Sequence, residues 1–246
     1  MEYIMRLPKL ETPVYTTELP SSGKKIKYRP FLVKEEKIMM IASQEKDTKL
    51  IIDNFNKVLK NCVLTKDIDV EKLASYDAQW LFLKLREVSI GSTILANVKC
   101  PVTGKNFETE ISLSAAKVVK SKDRKNKIML DAGVGVVLKD LTLAEFYETL
   151  GNVSENEQDN SEFESTLDLV AKCIVEIFDN ENVYPTADAT KEEVQDFLEN
   201  LSKDHFDKIN EFFVSIPKIK LEEEVFSPPA QKNIKLVLDN FMDFFA

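Results

Sequence analysis

The sequence predicts an α+β protein, mostly helical, with β-hairpins near its start, middle and end. Three observations carry this. Several stretches place apolar residues at helical spacing, 48–64 and 162–178 among them. Others alternate with period two around turn residues, at 14–28, 93–113 and 218–238. The chain of 246 residues is 43% hydrophobic with only six glycines, enough to bury a sizeable core.

In chain order, runs 14–18 and 26–28 flank Leu19-Pro20-Ser21-Ser22-Gly23-Lys24-Lys25, which is turn chemistry, and make the first hairpin. Pro30 biases Arg29 toward extended backbone, so a helix is expected from near Val33. Glu35 and Glu36 then lie at its positive end, and Ile38, Met39, Ile41 and Ala42 form one face. A second helix is expected over 48–64, on Leu50, Ile51, Phe55, Val58, Leu59 and Cys62. A short helix at 69–74 leads to a third long one over 77–88, with Asp77 as its N-cap and Trp80, Leu81, Leu83 and Leu85 on its apolar face.

After Gly91 the period changes. Runs 93–99 and 106–113 alternate around Cys100-Pro101-Val102-Thr103-Gly104-Lys105, a second hairpin. The basic run 117–127 (KVVKSKDRKNK) reads as a solvated, mobile loop. Strands return in 127–139, broken at 131–135, where Gly133 and Gly135 suit a turn or bulge, since no G-x-x-x-x-G-K-[ST] follows. Thr142 and Glu145 spell a capping box for a helix over 142–150. The stretch 151–161 (GNVSENEQDNS) is acidic and aperiodic, and reads as a flexible linker between a unit at 1–150 and one at 162–246.

The second unit opens with a helix over 162–178 on Phe163, Leu167, Val170, Ile174 and Ile177. Thr190 with Glu193 makes another capping box, opening 191–200, and Ser202 opens a helix through 213. A last hairpin, 218–226 and 233–238 around Ser227-Pro228-Pro229-Ala230, is expected to pack back on the central one. The chain closes on Phe241, Met242, Phe244 and Phe245, which dock either on the protein's own core or on a partner.

Composition excludes several functions. A net charge of −9 and pI near 4.9 argue against a nucleic-acid surface. No apolar run approaches the ~20 residues that span a bilayer, and MEYIMRLPKL lacks the regions of a signal peptide, so a cytoplasmic location and no membrane partner are expected. Three cysteines, Cys62, Cys100 and Cys173, do not make a disulfide framework. His205 is the sole imidazole, and a helical surface role suits it better than that of a catalytic base. No phosphate loop, HExxH or EF-hand loop is present, so no enzyme, cofactor or small-molecule ligand is expected.

The segments VKCPVTGKNFETEISL and VFSPPAQKNIKLVL share a strand, a proline-containing turn and Lys-Asn before an alternating strand. Two hairpins whose turns carried C-x-x-C would form a four-cysteine zinc ribbon, because tetrahedral zinc needs four ligands. The corresponding positions are Cys100, Thr103, Ser227 and Ala230, of which Cys100 alone is a ligand. The pair is therefore expected to be a degenerate, metal-free version held by packing.

Three blocks, LPSSGKKIKYRPFLVKEEKIMMIA, LREVSIGSTILANVKCPVTG, and KCIVEIFDNENVYPTADATKEEVQDFLENLSKDHFDKINEFFVSIPKI with the terminal FMDFF, make the chain resemble the T-even-like myovirus baseplate hub subunit family. The resemblance covers most of the chain. It implies a non-enzymatic role in building the central hub of a contractile phage tail through contacts with other hub or tail proteins, in the host cytoplasm and then in the tail baseplate. The alternative it leaves open is a transient assembly chaperone; a nucleic-acid-binding module derived from a zinc ribbon ranks below both. Thr103, Ser227 and Ala230 stand where the resemblance implies cysteines.

Overall fold

The structure, a computed structural model, describes residues 10–42, 44–45, 47–121, 124–154 and 159–238, and only the backbone of Thr48, 149–154 and 159–165. The first hairpin pairs β1 (Tyr15–Glu18) with β2 (Lys25–Tyr28), and its alternation sends Ile26 and Tyr28 inward. Arg29 then binds the end of the second helix. Its backbone N–H donates to the Cys62 carbonyl at 3.0 Å and its guanidinium to the Asn61 carbonyl at 2.9 Å.

Helix α1 (Val33–Ala42) packs on α2 (Thr48–Cys62). Asp47 caps α2 by accepting from the Lys49 N–H at 2.8 Å, and Phe55, Val58, Leu59 and Cys62 are buried as their spacing predicts. Two residues depart from expectation. Ile41 and Leu50 face solvent, because buried Glu35 and Ile52 occupy the inward positions of the two helices. A single 3-10 turn at Val70–Lys72 precedes α3 (Ser75–Ser89).

Asp77 does not cap α3. The helix starts two residues earlier, after Ala74, and the buried Asp77 carboxylate instead accepts from the Ser21 N–H at 2.8 Å and from the Ser21 hydroxyl, tying the first hairpin's turn to this helix. Trp80 donates its indole N–H to the Thr17 hydroxyl at 3.2 Å and packs against the core.

β3 (Thr93–Lys99) and β4 (Asn106–Ser112) form the central hairpin. The basic run that follows is not a free loop. Its first residues lie in β5 (Ala116–Val119), the Lys120 ammonium donates to the Pro20 carbonyl, and Arg124 pairs with Asp140, so two of its charges are engaged by neighbours. β6 (Lys127–Asp131) and β7 (Val134–Leu138) flank a turn with Gly133 at φ +86°.

Helix α4 (Leu143–Ser154) carries the expected capping box: the Thr142 N–H donates to Glu145 Oε2 at 2.9 Å, and the Glu145 N–H to Thr142 Oγ1 at 3.3 Å. Helix α5 spans Asp159–Cys173. The stretch 151–161 is thus helical at both ends, and 155–158 lie outside the described residues.

The predicted helix over 162–178 ends early, because Ile174–Phe178 is strand β8. Its β-branched and aromatic residues find backbone partners on both sides, in β7 and in β9 (Val183–Pro185), and that pairing overrides the helical spacing of Ile174 and Ile177. Helices α6 (Lys191–Glu199), with its capping box, and α7 (Lys203–Val214) follow as predicted. The last hairpin is β10 (Lys218–Ser227) with β11 (Lys232–Leu238).

Among the described residues the sheets are β1-β2, β3-β4, β11-β10-β5 and β6-β7-β8-β9. β5 and β10 are antiparallel neighbours, with Val119 opposite Lys218, so residues 120–217 leave and return at adjacent points of one sheet. Two apolar clusters match this. One joins both hairpins, α2, α3 and the β10–β11 pair; the other lies wholly between Ile128 and Phe213. Among the described residues α4 touches both clusters, through Leu143 and Tyr147 on one side and Phe146 on the other. A polar seam runs beside it, where Tyr76 Oη donates to Asp140 Oδ2 at 2.8 Å and the Arg124 guanidinium pairs with Asp140 and lies 4.3 Å from the Phe212 ring centre.

Candidate functional site

The sequence-derived site residues meet where two hairpin turns touch. Cys100 and Ser227 are fully buried, and the Ser227 hydroxyl donates to Cys100 Sγ at 3.2 Å. Thr103 and the backbone of Val102 and Thr103 add to the polar surroundings that favour its thiolate. On the other turn, the Ala230 N–H donates to the Ser227 carbonyl at 3.1 Å and to its hydroxyl at 3.3 Å.

The backbone explains why these residues converge. In the central turn the Gly104 N–H donates to the Cys100 carbonyl at 2.8 Å, the Cys100 N–H to the Lys105 carbonyl at 2.9 Å, and Gly104 sits at φ +70°. The last turn has Gln231 at φ +53° in the same place, four residues after Ser227. The first hairpin repeats the plan, which reading the second and third hairpins as a pair missed. There the Gly23 N–H donates to the Leu19 carbonyl at 2.8 Å, the Leu19 N–H to the Lys24 carbonyl at 2.9 Å, and Gly23 lies at φ +70°. The signal was present as P-x-x-G-K in Pro20–Lys24 and again in Pro101–Lys105. In each turn the opening residue, Leu19, Cys100 or Ser227, is buried.

The chemistry open to this clip is narrow. The Ser227 hydroxyl foremost, with Thr103, draws the Cys100 thiol down to about 7, against the upward push of burial. Yet the sulfur has no solvent access for a substrate. As a metal site the donor set is wrong: one thiol and two hydroxyls stand where structural zinc takes four thiolates or imidazoles, and Ala230 offers no side-chain donor. Among the described residues, no three of His, Cys, Asp and Glu converge elsewhere.

Burial pushes the Cys62 thiol up to about 11 and the Cys173 thiol up to about 12, which leaves both as packed hydrophobes. His205 is part-exposed in the first turn of α7, where its backbone N–H donates to the Ser202 hydroxyl that caps the helix. Phe241, Met242, Phe244 and Phe245 lie outside the described residues. On α1, Val33, Met40 and Ile41 present apolar surface to solvent.

A family model described as T4 bacteriophage base plate protein matches residues 12–246. The chain belongs to that family. The match takes in all three hairpins, both apolar clusters and the terminal phenylalanines, and it bears out at family level the resemblance carried by the three sequence blocks. Comparisons with curated proteins and with solved structures gave no match. Membership gives the chain a structural role in a phage base plate, among other base plate proteins. Among the described residues, no helix is long and apolar enough to cross a membrane.

Proposed function

We propose that this protein is a non-enzymatic component of the central hub of the base plate, joined to its neighbours by protein contacts during tail assembly in the host cytoplasm. The observation that carries this reading is a match to a base plate family across nearly the whole chain, in a molecule whose Cys100 thiol is sealed between two turns. The clip serves as a metal-free fastener between hairpins: the Ser227–Cys100 hydrogen bond and apolar packing hold what a metal would otherwise hold. The outward Val33, Met40 and Ile41 of α1, together with Phe241, Met242, Phe244 and Phe245, supply the contact surface. Methionine suits such a surface because its side chain adapts to its neighbour.

Quantitative mass spectrometry of purified virions tests the reading. A fixed copy number per particle is the expected result. Assembly that needs the protein while virions lack it would make it a transient chaperone instead. A chain deleted for 241–246 should remain folded and soluble but no longer co-purify with other base plate proteins from infected cells; unfolding of that truncation would assign the tail to the protein's own core.

A further inference from the structure

A groove of about 690 Å³ opens between the β7-β8-β9 sheet and α6, away from the paired turns in sequence and in cluster. Ile177, Phe178, Val194 and Phe197 line it, and Val183 and Tyr184 of the edge strand β9 are 59% and 49% exposed beside them. Its polar lining is of one sign. Asp179, Asp188 and Glu193 contribute carboxylates, while no lysine or arginine lines it. Asp179 is held ionised by the N–H groups of Glu181 and Asn182, at 2.7 and 2.8 Å, and by the Tyr184 hydroxyl at 2.9 Å, which keep its carboxyl below the usual range. From Asp179 to Glu199 the chain carries seven carboxylates against one cation, Lys191. The neighbouring Lys127 ammonium is engaged over the Phe178 ring, 4.2 Å from its centre.

We infer that this groove docks a segment of another base plate protein that combines apolar side chains with lysine or arginine. The apolar lining supplies the burial, and the carboxylates select the sign of the partner and reject like charge. The chain's own terminal DNFMDFFA is apolar but carries two aspartates, so its sign is wrong for this site. The inference rests on the base plate reading.

The test uses the full-length chain and an array of overlapping 15-residue peptides covering the other structural proteins of the same phage. Retained peptides should be apolar and basic, should weaken as salt rises, and should lose at least tenfold in affinity with V183E/D188K, a change at two exposed positions for which circular dichroism should show an unaltered fold. Retention of no peptide, retention of acidic ones, or equal binding by the variant overturns the inference. So does a concentration-dependent dimer in sedimentation that the variant abolishes, or binding of a peptide from residues 1–9 of this chain, because the occupant is then the chain itself. The two readings separate in phage growth. If loss of the whole protein stops tail assembly while V183E/D188K supports it, the groove inference fails and the base plate reading stands; normal tails without the protein sink the latter.

Discussion

Glu35 can sit inside the protein because Arg29 is there to meet it. Burial raises the cost of the carboxylate, but the guanidinium at 3.1 and 3.2 Å and the Leu32 N–H at 2.9 Å outweigh it and hold the carboxyl below its ordinary 4.5. Replacing Glu35 with alanine leaves Arg29, which is 11% exposed, without its counter-charge and should cost about 3 kcal/mol in urea denaturation. The sign with pH follows from the lowered value: Glu35 contributes fully above 4.5 and loses that contribution as pH falls through its folded value, a loss that E35Q should not show. Asp77 runs the other way. Burial first, then the Asp140 charge, raises its carboxyl despite the Ser21 hydrogen bonds, so its ionisation opposes folding at neutral pH and the penalty fades as pH falls through the raised value. D77N, which still accepts from Ser21, should therefore match or exceed the wild type in stability at pH 7, and the difference should vanish in acid. D77A, which leaves the Ser21 N–H unpaired, should lose about 1–3 kcal/mol.

At the scale of elements, the three hairpins share one plan: a buried opening residue and a left-handed residue before a lysine, with the same pair of backbone hydrogen bonds closing the first two turns and an Ala230 N–H to Ser227 carbonyl bond in the third. Glycine fills the left-handed position twice and Gln231 once. G104A should therefore cost about 1–2 kcal/mol from backbone strain alone, since the nearest atom to an added Cβ is Lys99 Cε at 3.9 Å. Q231G should be neutral or stabilising, and a lowered urea midpoint for G104A beside an unchanged or raised one for Q231G checks the assignment. Gly135 is needed for a different reason. An added Cβ would lie 2.3 Å from the Ile128 carbonyl and 2.5 Å from the Phe178 ring, so the glycine lets three strands and a ring close together.

At the scale of the molecule, residues 120–217 form an excursion from a single sheet, with their ends held side by side by β5 and β10. A fragment spanning 124–217 carries the whole second cluster, and its expected behaviour is a cooperative thermal transition of its own. The complementary chain, with Val119 joined to Lys218 by a short glycine-serine turn, should fold but be less stable than the full protein. It loses Leu143 and Tyr147 from its cluster and the hydrogen bond from the Ser75 N–H to the Leu141 carbonyl. Circular dichroism and denaturation of the two pieces measure both outcomes, and a fragment that stays unfolded alone would mean one cooperative unit.

The local devices were legible in the order of residues: helices from near Val33, from Thr48, from Lys191 and after Ser202, both capping boxes, the three hairpins and the base plate family. These depend on spacing, turn residues and caps that act within a few positions of one another. The folded structure alone made Ile174–Phe178 a strand, because its partner β7 lies far upstream in the chain and, with β9 on the other side, outbids the helical period. It decided that Asp77 binds a hairpin instead of capping a helix, since Ser21 is 56 positions away. The paired turns were legible as a repeat. The burial of Cys100 under Ser227 was not, because a contact across 127 positions is set by how sheets pack and leaves no trace in local pattern.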